Sequence, residues 1–405
     1  MRTIRVISTG WAMAWLASSA VAWANTEPPP AYDARSVGMG STGVAHVHNG
    51  ASLYHNPAAL QGVENGAVTL DFAPLAPQMS APLSGPETEG KSKRAIFPMF
   101  LVGGAYRVNE QLTLGLAVFP TMGFGAKYTS VPMLGGALLN AKLAAVEIAP
   151  GAAFALTRDI AIGATYRVTY MSYGQESPVV APDPAPPGTL IPTKLDISGW
   201  GLFGVQLGVF ARATKTTRLG LTYRNKVSVN MGGSTKMAGQ SYDTHMEFAS
   251  PHTFKLGVAQ SLLDEKLLLT LDCRLSLYHE SAKSLEVKTD IPGVGTQSTV
   301  QSLDWKNTLG IYAGGEYRFA PQGLALRLGY SLAQSATSNS LAQPILPPPG
   351  VQHAFHAGAG VAFSKIDVDV GGYYMFGGGH QPDAVPTGDY KMNAILVALS
   401  GNYRW

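Results

Sequence analysis

The sequence predicts an all-β protein: a transmembrane antiparallel β-barrel of about fourteen strands with an N-terminal plug, or hatch, in its lumen. Three observations carry that expectation. A secretion signal opens the chain, no later apolar run is long enough for a helical span, and from about residue 67 strand-length alternation recurs between tight turns and long Pro/Gly/Ser-rich connections.

The signal comes first. Arg2 and Arg5 precede an uncharged, largely apolar run from Val6 to Val21 that closes on Ala22-Trp23-Ala24. The run is short for a bilayer span and ends on a small-x-small cleavage triplet, so residues 1–24 are expected to be a signal peptide and the mature chain to begin at Asn25. Beyond it no stretch reaches the ~20 consecutive apolar residues of a helical span, which leaves strands as the means of crossing a membrane. Composition agrees: 46 Gly, 17 Tyr and 14% charged residues suit many twisted strands with aromatic ends. The single cysteine, Cys273, excludes an internal disulfide, and a net charge of +3 without a basic stripe argues against a nucleic-acid partner.

Residues 25–66 do not alternate and are too polar and glycine-rich for lipid-facing strands. They are expected to fold as a hatch inside a barrel formed by residues 67–405. Within the barrel the clearest strand is Leu267 to Tyr278, where Leu267, Leu269, Leu271, Cys273, Leu275 and Leu277 share one face and Thr270, Asp272, Arg274 and Ser276 the other. Ile366 to Phe376 and Leu324 to Leu332 repeat the pattern. Tight turns are expected at Asn109-Glu110, Arg158-Asp159, Thr214-Lys215, Asp264-Glu265, Gln322-Gly323 and Ser364-Lys365. Long connections are expected near 75–94, 121–140, 174–194, 230–244, 279–302, 333–351 and 377–390. Seven loops and six turns join fourteen strands, with the turns periplasmic and the loops outside. The last strand alternates through Ile395, Val397, Leu399, Gly401 and Tyr403 to Trp405, and its aromatic end is similar to the signal read by the barrel-insertion machinery.

Several motifs bear on chemistry. Gly38-Met39-Gly40-Ser41-Thr42-Gly43 matches a dinucleotide fingerprint in letters, yet no strand precedes it, so the glycines are read as packing and positive-φ positions. His46, His48 and His55 fix no third ligand by spacing, and no metal or cofactor is expected. Neither Gly-x-Ser-x-Gly nor His-Glu-x-x-His occurs, and no enzyme is expected. Arg107, Arg167, Arg224, Lys255, Arg274, Arg318 and Arg327 fall on inward parity. Arg167, Arg224, Arg274 and Arg327 are therefore candidates to bind a ligand carboxylate; the alternative is pairing with Glu316, Asp272, Asp367 and Asp369. Pro120, Gly123 and Gly125 end the third strand, as a kink or as an ordinary entry into the following loop, and Met133, Leu134, Leu138 and Leu139 make that loop apolar for an outer segment.

The blocks Ala34-Arg35-Ser36-Val37-Gly38-Met39-Gly40-Ser41-Thr42-Gly43-Val44-Ala45 and Ala51-Ser52-Leu53-Tyr54-His55-Asn56-Pro57-Ala58-Ala59-Leu60 strongly resemble the hatch of the FadL family of Gram-negative outer-membrane transporters. The resemblance extends over the mature chain, through Pro251-His252-Thr253-Phe254-Lys255-Leu256-Gly257 and Asp304-Trp305-Lys306-Asn307-Thr308. It implies a monomeric channel in the outer membrane for passive uptake of a hydrophobic ligand such as a long-chain fatty acid or an aromatic hydrocarbon. Met133, Leu134, Leu138 and Leu139 would capture the ligand, and the hatch around Asn56, Pro57 and Ala58, with Gly38, Gly40 and Gly43, would rearrange. A kink at Pro120, Gly123 and Gly125 would release the ligand sideways into outer-membrane lipid. A structural or secretion-associated barrel that binds protein partners is the alternative. One departure concerns His46-Val47-His48-Asn49-Gly50, where relatives often carry acidic residues.

Overall fold

A computed structural model describes residues 32–180, 189–281, 283–293, 295–320 and 323–405. The expected signal peptide and its cleavage site, hatch residues 25–31, Gln322 of one turn and residues 181–188 of one connection lie outside the described residues.

Fourteen strands close a single antiparallel ring. They are β1 (Gly66–Pro82), β2 (Phe97–Arg107), β3 (Leu112–Val131), β4 (Ala137–Ala155) and β5 (Ile160–Val180). The ring continues through β6 (Leu190–Arg212), β7 (Thr217–Arg224), β8 (His252–Leu262), β9 (Leu267–Leu277) and β10 (Thr308–Arg318). It ends with β11 (Leu324–Gln334), β12 (Val351–Phe363), β13 (Ile366–Gln381) and β14 (Gly388–Arg404). Neighbours in sequence are neighbours in the wall, and β14 pairs with β1 from Ala67↔Arg404 to Ser80↔Lys391, so the ring has no free edge there. Among the described residues no helix is long and apolar enough to cross a membrane.

The faces follow from strand periodicity. In β9 Leu269, Leu271 and Leu275 are exposed outward while Thr270, Asp272, Arg274 and Ser276 are buried inside; in β14 Ile395, Val397, Leu399 and Tyr403 face out and Ala398, Ser400 and Asn402 face in. Five of the expected tight turns fall between paired strands, and of the sixth, Gln322-Gly323, the described Gly323 directly precedes β11.

Several expected loops are corrected. Strand ladders run on through 121–140 and much of 174–194: β3 and β4 stay paired out to Val131↔Ala137, and β5 and β6 to Val180↔Leu190. About ten residues suffice for a tilted strand to span a bilayer, so these hairpins project well beyond it. The connections near 230–244 and 279–302 contain further hairpins, 227–237 with 240–250 and 284–291 with 295–302, which pair above the ring. The 333–351 connection is folded inward rather than exposed: from Ser335 to Gly350 only Ser340 is exposed.

Residues 32–62 fill the lumen on the turn side, with helices α1 (Ala34–Gly38) and α2 (Ser52–His55) and a 3-10 turn over Pro57–Gly62. The wall makes room with glycines. Gly40 has φ 71°, and a methyl there would overlap the Ala313 carbonyl; Gly314, Gly329 and Gly371 likewise meet hatch backbone with no space for a side chain.

Leu271→Arg should impair insertion, because a cation at mid-strand on the lipid face costs about 2–4 kcal/mol. Thr270 faces the lumen and its hydroxyl lies 2.8 Å from that of Thr42 in the hatch, so Thr270→Arg should insert but dislodge the hatch. Heat-modifiable gel migration reads the first effect and protease sensitivity of residues 32–62 the second. Equal loss of folded barrel from both would contradict the assigned faces.

Candidate functional site

The ring is interrupted at a window between β2 and β3. β2 and β3 are paired only from Arg107↔Thr113 to Val102↔Val118, although β2 continues to pair with β1 out to Leu75↔Phe97. Beyond the interruption the two sides meet again, the Lys93 amide donating to the Lys127 carbonyl at 2.7 Å. Proline explains the rim. Pro120 has no N–H to give a second neighbour, and β3 shifts register between Pro120 and Met122 while keeping its ladder to β4. Of the expected kink residues, Pro120, Gly123 and Gly125 all line this window. They interrupt one ladder of a strand that runs on past them.

An apolar cavity of about 260 Å³ lies in the window. Met79, Met99, Met122, Met375 and Met392 line it with Phe97 and prolines at 77, 98, 120 and 347, and Lys142 is its one charged neighbour. Roughly 150 Å³ is enough to hold benzene in an apolar interior. Methionines are unbranched and flexible, so such a lining can reshape around its contents.

Outward of the cavity lie the four candidate capture residues. Met133 and Leu134 sit in a 3-10 turn over Pro132–Leu134, and Leu138 and Leu139 begin β4, so the expected capture loop is the tip of the β3–β4 hairpin. Met133 is exposed, while Leu134 and Leu139 pack against a cluster of Met79, Tyr128, Val131, Ala342 and Tyr390. Met392 joins that cluster to the cavity. A line of apolar side chains thus runs from the hairpin tip to the window.

Inward of the cavity the hatch begins. Tyr32 donates its hydroxyl hydrogen bond to the Pro120 carbonyl on the window's inner rim, and its ring meets Tyr54 edge-on at 4.9 Å, with Phe119 beside both. Asn56 is fully buried and makes three bonds. Its Oδ1 accepts from the Ala58 amide at 3.1 Å, capping the 3-10 turn that Pro57 starts, and its Nδ2 donates to Val44 of the hatch and Val209 of β6, each at 3.0 Å. Gly43 lies flat against the His55 ring, Gly38 against Gly358, and Ala58 against Gly163.

Two buried carboxylates organise the lumenal cations. Glu147 of β4 binds Arg167 at 2.6 Å and Arg224 at 2.7 Å; Glu316 of β10 binds Arg35 of the hatch at 2.8 Å, Arg318 at 3.1 Å and Arg327 at 2.6 Å. Arg327 also reaches Asp369 at 2.7 Å. Three of the four candidate carboxylate-binding arginines thus engage carboxylates of the protein itself. The fourth, Arg274, lies 5.3 Å over the Tyr312 ring. Lys255 lies 4.6 Å over Tyr54, and Arg107 donates to the Val63 and Gln61 carbonyls at the foot of the hatch. Asp272 accepts from the hatch amides of Gly43 and Val44 at 2.7 and 3.0 Å, and Asp367 pairs with Arg404. Beside Glu147 the free space is about 30 Å³, room for about one water. Glu147 and the hatch arginine Arg35 went unnoticed in the sequence, although Glu147 lies on the inward parity of its strand with Ala145 and Ala149.

The three hatch histidines take separate partners. His46 Nε2 lies 3.1 Å from the Thr42 hydroxyl, His48 Nδ1 donates to the Ala59 carbonyl and His55 Nε2 to that of Tyr32, both at 2.9 Å. Burial pulls His48 down to about 4 and, with nearby Lys255, His55 to about 3. Burial also lowers His46, reinforced by Arg35.

The sequence profile described as "Outer membrane protein transport protein (OMPP1/FadL/TodX)" matches residues 14–405. A putative outer membrane protein of Neisseria meningitidis serogroup B is 23% identical over 366 residues, covering 78% of each chain. A FadL homologue of Pseudomonas aeruginosa superposes with a TM-score of 0.79 at 14% identity, covering 94% of this chain and 100% of the other. The toluene transporter TbuX of Ralstonia pickettii gives 0.73 at 15%, covering 93% and 98%.

The histidines set an acid limit on the hatch. Their folded values lie below the unfolded value of about 6.5, so the stability of the neutral rings is fully present above pH 6.5 and is lost as pH falls toward 4. Hydrogen-exchange protection factors over residues 44–60, taken relative to the intrinsic rate at each pH, should fall across that interval, and His48→Gln with His55→Gln should flatten the response. An unchanged pH profile in the double variant would contradict the assignment.

Proposed function

This chain belongs to the OMPP1/FadL/TodX family of outer membrane transport proteins, and from that premise we propose that it is a passive channel for uptake of hydrophobic molecules through the side of its own wall. The observation that carries this reading is the methionine-lined cavity set in the β2–β3 window. Ligand collects at Met133, Leu134, Leu138 and Leu139, moves along the apolar line to the cavity, and leaves between β2 and β3 into the outer-membrane lipid. No other energy source enters the scheme: burying an acyl chain contributes roughly 0.8 kcal/mol per methylene, and an equally apolar bilayer lies at the exit.

The hatch governs release. Tyr32 holds the rim carbonyl of Pro120, while Asn56, with Pro57 and Ala58, fixes the hatch segment that supports Tyr54 and His55. Rearrangement there would free the rim. Long-chain fatty acids and aromatic hydrocarbons are the ligand classes in view, the second supported by the likeness to the toluene transporter of Ralstonia pickettii. The cavity meets no arginine, so apolar contact dominates recognition, with Arg167, Arg224 and Arg327 serving to hold the lumen and hatch together. The protein acts as a monomer, inserted by the barrel-assembly machinery.

Ala144 lines the cavity, and Ala144→Phe should fill it without disturbing the ladder. In a host lacking its own transporter, uptake of 1-N-phenylnaphthylamine and of oleate should fall roughly tenfold, with heat-modifiable migration intact. Wild-type uptake of both probes by this folded variant would remove the cavity from the route.

A further inference from the structure

The segment from Ser335 to Gly350 joins β11 to β12 and carries prolines at 344, 347, 348 and 349. Its polar residues fold it back on itself: the Thr337 hydroxyl donates to the Pro347 carbonyl at 2.8 Å and the Ser335 hydroxyl to that of Pro348 at 2.9 Å. With four φ angles fixed by proline, these two side-chain bonds and backbone bonds such as that from the Leu346 amide to the Gln343 carbonyl, the segment forms a stiff lobe. At its rim the lobe is tied to neighbouring loops by polar contacts. The Ser338 hydroxyl donates to the Asp304 carbonyl, the Lys306 amide to that of Ala336, and Gln301 to Gln343, at 2.7, 2.8 and 2.7 Å. On the opposite side the buried Tyr128 hydroxyl of β3 donates to the Pro344 carbonyl at 2.9 Å.

The position of the lobe gives it a task. Pro347 lines the window cavity, and Ala342 packs in the cluster that joins Leu134 and Leu139 of the hairpin tip to Met392. The lobe therefore contributes Ala342 and Pro347 to the apolar line from tip to cavity. Leu346 and Ala336 seat its other flank in the outer core around Trp305 and Tyr278.

We propose that Ser335–Gly350 is the entry lid of the channel and sets which ligands it admits, with Pro347 as the cavity roof and Tyr128 as the positioning residue that latches it. The inference rests on the transport reading. A ligand at the hairpin tip reaches the cavity only when the Tyr128–Pro344 bond opens and the lobe lifts, and its bulk is limited by Pro347. Entry and exit are then separately gated, by the lid above the cavity and by the hatch below it.

The test tethers the lid. In a Cys273→Ser background, Gln301→Cys and Gln343→Cys are bridged by a short bis-methanethiosulfonate reagent in the full-length protein reconstituted in liposomes, and loading of 1-N-phenylnaphthylamine is timed. Bridging should slow loading roughly tenfold, and reductant should restore it in the same sample, which separates gating from misfolding. Tyr128→Phe should speed loading severalfold when unbridged and have no effect once bridged. Pro347→Ala should shift relative uptake toward bulkier probes. Equal loading with and without the bridge overturns the lid. Acceleration by Tyr128→Phe that survives bridging overturns the latch. A protein that loads no probe even unbridged fails as a transporter, and the lid fails with it.

Discussion

Inside a bilayer every backbone amide and carbonyl must be bonded within the protein, and the rest of this structure follows from how the chain meets that constraint. The ring closes β1 onto β14, so the outer face can be apolar and the inner face polar. That alternation leaves a polar lumen too wide to fill with wall side chains alone, and a hatch occupies it. The β2–β3 ladder stops at one place, where the missing pairing coincides with Pro120, an inserted register shift and a hatch hydroxyl supplied to the freed carbonyl. The window is accommodated chemically on its inner rim and lined with apolar side chains elsewhere.

Charge holds the interior together. Removing a carboxylate and an arginine from water is costly unless each finds the other with good geometry, and breaking such a pair leaves an uncompensated charge. Glu147 ties β4 to β5 and β7, while Glu316 gathers β10 and β11 and takes Arg35 from the hatch. The hatch is therefore anchored electrostatically near the turn side, and by neutral hydrogen bonds through Asn56 to β6 and through Tyr32 at the window. Neutral bonds contribute about 0.5–1.5 kcal/mol net and charge-assisted ones more, which makes the window end the easier one to release.

Much of this was legible in the residues. Period-two alternation gave the faces of β9, β13 and β14 because a lipid boundary leaves no alternative to apolar side chains, and the tight turns were visible from their polar pairs. Asn56-Pro57-Ala58 could be recognised as a fixed hatch element, since Pro57 and the Asn56 amide are local devices. Loop readings failed where the cause was long-range. Pro and Gly in 121–140 looked like chain breakers, but a bulge against β4 and an unpaired side toward β2 let the strand continue through them. The polar, proline-rich 335–350 segment looked exposed because its polar groups bond one another and distant loops, which no local pattern reports. The lumenal arginines were placed by parity, but Glu147 as their partner required the register of three strands.

The central claim is that ligand passes through the β2–β3 window. Met99 and Met122 line the cavity from the two sides of that gap. In a Cys273→Ser background, Met99→Cys and Met122→Cys can be bridged across it by a bis-methanethiosulfonate reagent in whole cells lacking other transporters, and uptake of oleate and 1-N-phenylnaphthylamine measured before and after reduction. The account predicts that bridging stops uptake of both and that reduction restores it; undiminished uptake with the window bridged would contradict it.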